Sequence, residues 1–575
     1  MTQITFKQLQ KAAKADVSAP AQYKLAVMGD CATQHLATAI RGYGAHEGLG
    51  LAVFDADYNQ IEAQVMDAGS ELYEFAPDGV LIQMCTEKLY ESFCAVPPER
   101  RSSFAEDAYA HIRQVWERIG CHIGATILQC NFPLMDDGSF GQYGNKAADS
   151  FLFQQRKLNF LLMQGCQEVK TVCLIDLDSI QSVCGRDRFS DPKLYYIAKM
   201  PISLELLPTV AKNVVDVIQA LRGAVKKCVV LDLDNTLWGG VIGDDGLSGI
   251  QIGELGTGHA FSDFQTWLKE LKNRGILLAV CSKNNEDTAK EPFEKHPEMV
   301  LHLEDISMFV ANWEDKASNI RSIQKALNIG MDSLVFLDDN PFERNLVRSL
   351  IPEITVPELP EDPALYLRFL RSLNLFETAS YSPDDRKRTQ QYREQAERTA
   401  FETSFESYDA YLAGLDMKAA AAPFDAFHYP RIAQLTQRSN QFNLRTVRYT
   451  EAEIEAVAQD DRRITLYFTL KDRFGDHGLI SVVIMDKQPN CLFISEWLMS
   501  CRVLKRGMEE FIIDKIIKTA EEHGFQRVVG EYIPTSKNAM VKDLYETLGF
   551  IPTGENRFVA EIASFQYHNT FIQEE

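Results

Sequence analysis

The sequence has no run of about 18 consecutive apolar residues, the length that a membrane-spanning helix needs. It also lacks a basic excess: 59 Lys and Arg face 81 Asp and Glu, which gives a formal net charge of −22. Proteins that bind nucleic acid or acidic membranes in general carry the opposite sign. These absences exclude a membrane span and argue against nucleic-acid and membrane partners.

Paired cysteines are missing as well. The 12 cysteines in 575 residues form no CxxC pair and no disulfide framework, and several, such as Cys173 and Cys228, lie in apolar strand-like runs. In such runs a cysteine behaves as a small apolar residue. Residues 1–7 lack the apolar core of a signal peptide. We therefore expect a cytoplasmic protein in a reducing compartment.

The length allows three or four domains, each with its own core. The pattern of apolar runs predicts an α/β domain over residues 1–222 and a second α/β domain over residues 223–380. A charged helical linker, beginning near Pro383 and ending near Phe405, and an α+β domain are predicted over residues 381–575.

Asp232 and Asp234 follow an apolar run, residues 228–231, that is typical of a buried strand. Open α/β sheets bind their ligands in the crevice beyond the carboxyl ends of the strands. Two carboxylates this close repel each other unless a cation lies between them or one of them is protonated. Mg²⁺ prefers oxygen ligands, so the pattern predicts a magnesium site here.

The pattern Asp-x-Asp-x-Thr after an apolar strand resembles the first motif of the haloacid dehalogenase (HAD) phosphatase superfamily. The other motifs of that superfamily follow in order. Ser282 ends the next apolar run, Lys316 stands near a helix start, and Asp338 with Asp339 follows a further apolar run. The resemblance implies an HAD-like Rossmannoid domain with phosphoryl-transfer chemistry.

The same resemblance implies a role for each of these residues. Asp232 is the implied nucleophile that takes up the phosphoryl group, and Asp234 is the implied general acid and base. Mg²⁺ is expected on Asp232, on Asp338 and on the backbone carbonyl of Asp234. Ser282 and Lys316 are expected to bind the phosphoryl oxygens.

The spacing of these motifs leaves room for only a minimal cap. A glycine-rich turn and one amphipathic helix fit between Asp234 and Ser282. A helix and a strand, predicted over residues 299–303, fit between Ser282 and Lys316. An uncapped site favours either a macromolecular substrate or closure by another domain of the chain, and both options are open.

In residues 1–222, short apolar runs alternate with helix-like segments, which predicts a parallel sheet of the SGNH-hydrolase or flavodoxin type. The first run ends in Gly-Asp-Cys, which resembles the Gly-Asp-Ser block of SGNH hydrolases with Cys31 in place of serine. Asn131 resembles a further block of that family. The expected Asp-x-x-His is represented by Asp191 without the histidine. We therefore expect no working triad and a non-catalytic domain.

The C-terminal region resembles the GNAT N-acyltransferase fold. The predicted order is strands 464–470, 478–485 and 491–497, helix 507–522, strand 526–532, helix 538–548 and strand 557–562. The candidates for binding CoA or a carrier's arm precede the long helix, where that family binds a pyrophosphate on backbone N–H groups: Arg502, Lys505, Arg506 and Gly507. Lys505 stands where that family usually has glycine.

From about Asp178 onward the chain resembles the FkbH-like proteins. The runs that carry this resemblance include residues 229–246, 281–286, 312–316, 337–341, 434–437, 440–444, 472–476 and 497–504. The resemblance implies an enzyme of secondary metabolism that takes a glyceryl unit from 1,3-bisphosphoglycerate and removes phosphate. It would then pass the glyceryl group, as a thioester, to the phosphopantetheine arm of an acyl carrier protein supplied in trans.

Two alternatives to this function are open. One is a plain HAD phosphatase that acts on a phosphorylated metabolite or carrier, with the GNAT-like domain as an N-acyltransferase or a binding module. The other is a non-catalytic scaffold. For glyceryl transfer, an enzyme cysteine is implied to hold the acyl group. Cys281 is the predicted residue, because loop dipoles and Lys283 favour a thiolate beside Ser282, and Cys501 is the second candidate.

Overall fold

The computed structural model of the chain describes residues 4–15, 22–381, 390, 405, 407–554 and 556–575. The helical linker predicted between Pro383 and Phe405 lies outside these ranges, apart from residues 390 and 405. The chain divides into two compact units, Met1–Gln219 and Ala220–Glu575. Among the described residues, no helix combines the length and the apolar character that crossing a membrane requires.

The first unit contains a five-stranded parallel sheet in the order β2-β1-β3-β4-β5. This order is that of flavodoxin-like folds, and it confirms the predicted fold class of this region. The strands are β1 Tyr23–Gly29, β2 Leu51–Asp55, β3 Gly79–Gln83, β4 Thr126–Cys130 and β5 Val172–Ile175. The α-helices are α1 Phe6–Ala15, α2 Gln34–His46, α3 Ile61–Met66, α4 Glu71–Phe75, α5 Thr86–Ala95, α6 Phe104–His122, α7 Phe151–Glu168, α8 Leu177–Cys184, α9 Arg186–Phe189, α10 Pro192–Ala198 and α11 Leu207–Leu221.

The second unit begins with a four-stranded parallel sheet in the order β8-β7-β6-β9, which we call the HAD sheet. Apart from Ser282 at the end of β7, its strands are apolar, and they are packed on both faces, as parallel strands between helices require. They are β6 Cys228–Leu231, β7 Leu277–Ser282, β8 Met308–Ala311 and β9 Leu334–Leu337. The helices are α12 Ile242–Asp245, α13 Gly256–Asn273, α14 Glu286–Lys295, α15 Lys316–Leu327, α16 Pro341–Leu350 and α17 Tyr366–Ser372.

One predicted strand is wrong. Residues 299–303 do not join the sheet, and β8 lies further on, at Met308–Ala311. The amides of Val300 and Leu301 donate instead to the side-chain oxygen of Gln265, at 3.1 and 3.0 Å. The side chains of Met299 and Leu301 are nevertheless buried in the core. The apolar pattern of residues 299–303 therefore reflects the burial of these side chains. Gln265, and not a neighbouring strand, accepts the hydrogen bonds of their backbone.

The second unit continues with a mixed eight-stranded sheet in the order β15-β16-β14-β13-β12-β11-β10-β17. Together with its helices it forms the α+β region that the fold class predicts. The strands are β10 Met417–Ala422, β11 Arg463–Asp472, β12 Gly475–Gln488, β13 Cys491–Met499, β14 Arg527–Glu531, β15 Ile551–Gly554, β16 Arg557–Glu561 and β17 Ile572–Glu574. The helices are α18 Tyr408–Gly414, α19 Tyr429–Arg438, α20 Glu451–Gln459, α21 Met508–Glu522 and α22 Leu544–Thr547.

The parallel strands β13 and β14 pair at only two positions and then diverge. Residues 442–444, which we call the wedge, lie in the gap between them. Within the wedge, the amide of Leu444 donates to Trp497 O at 3.1 Å, and Phe442 O accepts from the amide of Met499 at 3.1 Å. On the other side, Leu444 O accepts from the amide of Ile533 at 2.8 Å. The wedge therefore satisfies the backbone groups that the divergence of the two strands exposes.

A fully buried carboxyl group lies on β13. Glu496 accepts a hydrogen bond from the amide of Val447 at 2.9 Å, and burial raises its pKa to about 8 although Arg445 and Arg448 act in the opposite direction. At neutral pH this side chain is therefore held in its protonated, uncharged form.

The raised pKa of Glu496 predicts a pH dependence of stability. Between the ordinary pKa of a glutamate and about 8, the folded state holds a proton that the unfolded state has lost. Stability therefore falls with rising pH across this window, by about 1.4 kcal/mol per pH unit from this group. Glu496→Gln, which mimics the protonated form, should raise the melting temperature relative to wild type at pH 8 but not at pH 4.5. The control Glu455→Gln changes an exposed glutamate and should not raise the melting temperature at pH 8. Equal shifts of the melting temperature in both variants would contradict the raised pKa of Glu496.

Candidate active site

The ends of β6 and β9 bring the first and last predicted motifs together. The register pairs Leu231 with Leu337, so Asp232 and Asp338 leave the sheet side by side. The Nζ atom of Lys316, the first residue of α15, lies 2.9 Å from Asp232 Oδ2 and 2.5 Å from Asp338 Oδ2. All three side chains are buried. A lysine thus bridges two carboxylates at the carboxyl edge of the HAD sheet.

Burial and mutual repulsion set the charges in this cluster. Burial, together with the charge of Asp232, raises the pKa of Asp338 to about 7, while Lys316 opposes the shift. Burial and Asp232 also raise the pKa of Asp339. Burial acts to lower the pKa of Lys316, but the two carboxylates outweigh it and raise that pKa, so the ammonium stays charged. One lysine does not fully offset the three carboxylates.

The carboxylates fit a divalent metal ion. Oxygens of Asp232, Asp338 and Asp339 all lie within 4.8 Å of one another. Ligand oxygens at about 2.1 Å from one Mg²⁺ ion stand at most about 4.2 Å apart, so a small inward movement completes the geometry. A donor set made only of oxygen suits Mg²⁺, Mn²⁺ or Ca²⁺ better than softer metals. Because one lysine leaves carboxylate charge uncompensated, a cation is also electrostatically favoured here.

The carboxylate of Asp234 is held apart from this cluster by three hydrogen bonds. Its Oδ1 accepts from Trp238 Nε1 and from the amide of Ile242, both at 3.0 Å. Its Oδ2 accepts from Asn284 Nδ2 at 2.8 Å. Asn284 Nδ2 also lies 3.5 Å from Ser282 Oγ. The carboxylate is therefore fixed toward the side of the site on which Ser282 lies, as an acid and base beside a phosphoryl-binding residue needs to be.

Cys281 differs from what its position in the sequence predicts. Side chains alternate along a strand, so Cys281 and Ser282 point to opposite faces of β7. Cys281 is fully buried in an apolar cluster beneath α15, and its Sγ donates to Lys316 O at 3.8 Å. Burial raises the pKa of its thiol to about 12, although Lys316 acts to lower it. The expectation that loop dipoles and Lys283 favour a thiolate here is wrong, since Lys283 Nζ instead pairs with Glu343 Oε1 at 2.6 Å.

Cys501 lies at the other edge of the HAD sheet. Its Sγ donates to Asn328 O at 3.4 Å, and Asn328 Nδ2 donates to Cys501 O at 3.1 Å. Asn328 follows α15 and precedes β9, so this contact is at the amino-terminal edge of the sheet, whereas Asp338 follows β9. The two candidate cysteines for the acyl group are therefore at opposite edges of the sheet: Cys281 near the carboxyl-terminal edge and Cys501 at the amino-terminal edge.

The turn before α21 does not present the predicted anion site. The guanidinium of Arg506 is buried and donates to Asp472 Oδ2 at 3.3 Å and to Arg502 O at 3.0 Å. The amide of Lys505 donates to Glu509 Oε1 at 3.1 Å, so a carboxylate of α21 already accepts from it. Lys505 and Gly507 have φ angles of 62° and 84°, a left-handed conformation that costs lysine more than glycine. Arg502 Nε donates to Ser500 Oγ at 3.2 Å.

The residues that resemble SGNH-hydrolase motifs, Cys31, Asn131 and Asp191, make hydrogen bonds within the first unit. Cys31 is buried, its Sγ donates to Gln83 O, and its pKa is raised well above the usual range by its contact with Cys85 and by burial. The amide of Ala32 donates to Lys199 O, Asn131 Nδ2 donates to Asp176 Oδ1, and Asp191 caps α10. These contacts agree with a non-catalytic role, which stays a prediction.

The described segments that connect the site residues hold no separate cap domain. Residues 235–315 are described throughout; α12 and α13 lie between Asp234 and Ser282, and α14 and β8 lie between Ser282 and Lys316. Trp313, after β8, and Phe342, after β9, are 72% and 67% exposed. Trp313 lies in the loop after β8 and Phe342 in the first turn of α16, so both follow strands that end at the carboxyl edge of the HAD sheet.

Three residues of the site were not predicted from sequence as functional. Asn284 orients Asp234, Asp339 joins the carboxylate cluster, and Thr236 Oγ1 accepts from the amide of Asp339 at 3.1 Å. Asp339 and Thr236 are part of the motifs that identify the site, so their positions carried a signal. For Asn284, the sequence contained no functional signal except its position two residues after Ser282.

Comparison with known proteins found a matching family model and a related crystal structure. Residues 24–219 match a family model described as the N-terminal domain of FkbH. The N-terminal part of the protein BF1531 from Bacteroides fragilis, whose crystal structure contains a phosphatase domain complexed with Mg, is 49% identical to this chain. The match covers 66% of this chain and 100% of that one, with a TM-score of 0.63. No curated protein matches this chain.

Two acetyltransferases match the remaining region weakly. The ribosomal-protein-S18-alanine N-acetyltransferase from Escherichia coli is 16% identical, over 24% of this chain and 90% of that one, with a TM-score of 0.19. Spermidine N-acetyltransferase from Vibrio cholerae, in complex with CoA and spermine, is 12% identical over 25% and 96%, with a TM-score of 0.21. Similarities at this level establish neither a fold nor an activity for the C-terminal region.

Proposed function

This chain belongs to the FkbH-like family of the HAD superfamily, and we propose that it is a Mg²⁺-dependent phosphatase that also transfers a glyceryl group from 1,3-bisphosphoglycerate to an acyl carrier protein. The observation that supports the phosphatase most directly is the cluster at the ends of β6 and β9. There Lys316 contacts both Asp232 and Asp338, in a chain 49% identical to a protein with a Mg-bound phosphatase domain.

Asp232 and Asp338 would hold the metal, together with the backbone carbonyl of Asp234 and with Asp339 nearby. When bound, Mg²⁺ supplies positive charge that offsets the carboxylates and the phosphate. Asp232 then attacks phosphorus and forms an aspartyl-phosphate. Asp234 donates a proton to the leaving oxygen and afterwards accepts one from the attacking water. Lys316 and Ser282 stabilise the charge that spreads over the phosphoryl oxygens.

Glyceryl transfer adds two exchanges of an acyl group. An enzyme thiolate attacks C1 of 1,3-bisphosphoglycerate, a carbon–sulfur bond forms, and the C1–oxygen bond to phosphate breaks. The phosphatase site then hydrolyses the remaining phosphate ester with water. Finally, the thiol of the carrier's phosphopantetheine attacks the thioester and the enzyme thiol leaves. The lack of a cap domain over residues 235–315, together with exposed Trp313 after β8 and Phe342 after β9, supports a macromolecular partner.

Cys281 stays the predicted residue for the enzyme thioester, and Cys501 the second candidate. In the conformation described, Cys281 is buried beneath Lys316 with its thiol protonated, so acylation requires this region of α15 to open. Cys501 is only half-buried, but it lies at the edge of the sheet opposite to the phosphatase residues. Transfer through Cys281 therefore requires α15 to open, whereas transfer through Cys501 requires the acyl group to move between opposite edges of the sheet. Alanine variants of the two cysteines distinguish these possibilities.

The plain phosphatase remains the second candidate function, with the C-terminal domain as a binding module. The wedge favours a binding module over an N-acyltransferase, because residues 442–444 already hydrogen-bond to β13 on one side and to Ile533, two residues beyond β14, on the other. An acyl donor lying between these strands would have to displace the wedge and its three backbone hydrogen bonds.

Intact-protein mass spectrometry tests glyceryl transfer. The full-length protein is incubated with Mg²⁺ and enzymatically generated 1,3-bisphosphoglycerate, and released phosphate is measured in parallel. We expect a hydroxylamine-labile adduct of glyceryl mass that disappears in Cys281→Ala and persists in Cys501→Ala. Loss only in Cys501→Ala would reassign the cysteine.

The same experiment distinguishes the competing functions. Phosphate release without an adduct on any cysteine would favour the plain phosphatase and contradict glyceryl transfer. Neither release nor adduct would favour a scaffold. Cys491→Ala provides a matched control, because Cys491 is half-buried on β13 and has no proposed role.

A further inference from the structure

A cavity of about 360 Å³ lies at the amino-terminal edge of the HAD sheet, between that sheet and the C-terminal domain of the same unit. Lys227 and Ser333, which line it, immediately precede β6 and β9, whereas Asp232 and Asp338 immediately follow these strands. Four residues of strand span roughly 13 Å. The cavity is therefore separate from the phosphatase site, and its volume is within the range of small-molecule sites.

The described lining of this cavity is strongly basic. It includes five cationic side chains and one carboxylate, that of Asp332: Lys227, Arg431, Arg438, Arg502 and Lys537. Lys537 Nζ lies 2.5 Å from Asp332 Oδ2. The whole chain carries a net charge of −22, whereas cations outnumber carboxylates in the described lining of this cavity. Such a local excess of cations attracts anions and supplies charge-assisted hydrogen bonds.

Hydrogen bonds hold several of these cations at the cavity wall. Lys227 Nζ donates to Arg438 O at 3.1 Å, Arg438 Nη2 donates to Ser380 O at 3.2 Å, and Arg502 Nε donates to Ser500 Oγ at 3.2 Å. Arg431 is only 7% exposed. Side chains fixed in this way lose little conformational freedom when a ligand binds, which favours affinity.

Besides Lys537, three parts of the C-terminal domain line the cavity. The face of α19 toward it carries Arg431, Gln434, Leu435 and Arg438, the spacing of one helix side. The start of the wedge contributes Phe442, and the end of β13 contributes Met499. The lining therefore combines apolar surface with its cations, which suits a ligand that has both a charged group and an uncharged arm.

We propose that this cavity binds a small phosphate monoester, at a site distinct from the one that hydrolyses phosphate. Two sources share this chemistry: the 4′-phosphopantetheine arm of a carrier and a free phosphorylated metabolite. The apolar contribution of Leu435, Phe442 and Met499 favours the arm. The proposal does not depend on glyceryl transfer, because it rests on the lining of the cavity alone.

Isothermal titration calorimetry of the full-length protein tests this site. Titrations are run in EDTA with 4′-phosphopantetheine and with 3-phosphoglycerate as probes. Without a divalent ion the carboxylates repel phosphate from the catalytic edge, so binding reports the cavity. We expect binding that weakens with salt. Loss of one charge-assisted contact in Arg431→Gln or Lys537→Met should weaken it by about tenfold or more.

The controls separate this site from the phosphatase site and from folding defects. Lys537 is half-exposed, so Lys537→Met tests the cavity even where the buried Arg431→Gln fails to fold. Arg462→Met removes an exposed arginine of the same domain and should bind as wild type does, as should Asp232→Asn. Binding of phosphopantetheine alone assigns the carrier arm, and equal binding of both probes assigns a free phosphate ester. No binding of either probe in EDTA, or binding unchanged in Lys537→Met, overturns the proposal while leaving Mg²⁺-dependent phosphate release unaffected.

Discussion

Asp232→Asn should reduce the turnover of a phosphomonoester by a factor on the order of 10⁴ or more, as the loss of a covalent nucleophile does in other enzymes. An amide oxygen is a poor nucleophile toward phosphorus, and the substitution also removes one of the carboxylates that face Lys316. Initial rates of phosphate release at saturating Mg²⁺, with p-nitrophenyl phosphate as the substrate, measure the effect.

Asn has nearly the shape of Asp, so this variant should keep its fold. Its melting temperature in EDTA should stay close to that of wild type, because Lys316 retains its contact with Asp338. The exposed control Asp287→Asn, at the start of α14, should keep full activity. Turnover by Asp232→Asn at the wild-type rate would remove the nucleophile assignment, and an equal loss in Asp287→Asn would point to a folding defect.

Asp234→Asn should lower turnover by about 10² to 10⁴, the range in which general acid and base catalysis contributes. The loss should depend on the leaving group. An alkyl phosphate needs a proton on its leaving oxygen, so both steps are impaired. p-Nitrophenolate and the carboxylate of an acyl phosphate leave without one, so that only the attack of water on the aspartyl-phosphate is slowed.

Rapid-quench measurements reveal this difference. With p-nitrophenyl phosphate, the Asp234→Asn variant should release one equivalent of nitrophenolate in a burst and accumulate phosphoenzyme. With an alkyl phosphate, no burst is expected. Asn284→Ala, which removes the 2.8 Å hydrogen bond to Asp234 Oδ2, should show the same pattern with a smaller loss. An equal loss of the first step for all leaving groups would exclude Asp234 as the proton donor.

The fold and the phosphatase cluster were largely predictable, because both depend on local patterns with a shared geometry. Parallel strands that end in polar residues direct these residues to one edge, so the order of the motifs was enough to bring Asp232, Lys316 and Asp338 together. The parallel sheet of the first unit was likewise predicted from the alternation of strands and helices.

Side-chain direction and long-range hydrogen bonds were not predictable. Cys281 was predicted to be a thiolate beside Ser282, yet the pleat of β7 turns it toward the opposite, buried face of the strand. Residues 299–303 have the composition of a strand, but Gln265, far away in sequence, accepts their hydrogen bonds. Asn284 was missed because its role depends on where Asp234 points after the chain leaves β6.

In the C-terminal domain, too, the elements and contacts that depend on distant residues were not predicted. Strands β11 to β14 and β16 were predicted in the observed order, but β10, β15, β17 and the helices α19 and α20 were not. The turn at Lys505 and Gly507 was interpreted by analogy, whereas its conformation depends on the buried contact of Arg506 with Asp472. Local sequence contains no information on which distant residue completes such a contact.

The wedge also constrains how the C-terminal domain reaches its native state. β11 to β13 can pair from local hairpins, and β14 with β16 forms a second group, but the two groups share only two direct residue pairs. Residues 442–444 connect them, and both of their partners are distant in sequence. The entropy of closing these loops must be overcome before the contacts form, so high contact order should make insertion of the wedge a late and slow event in folding.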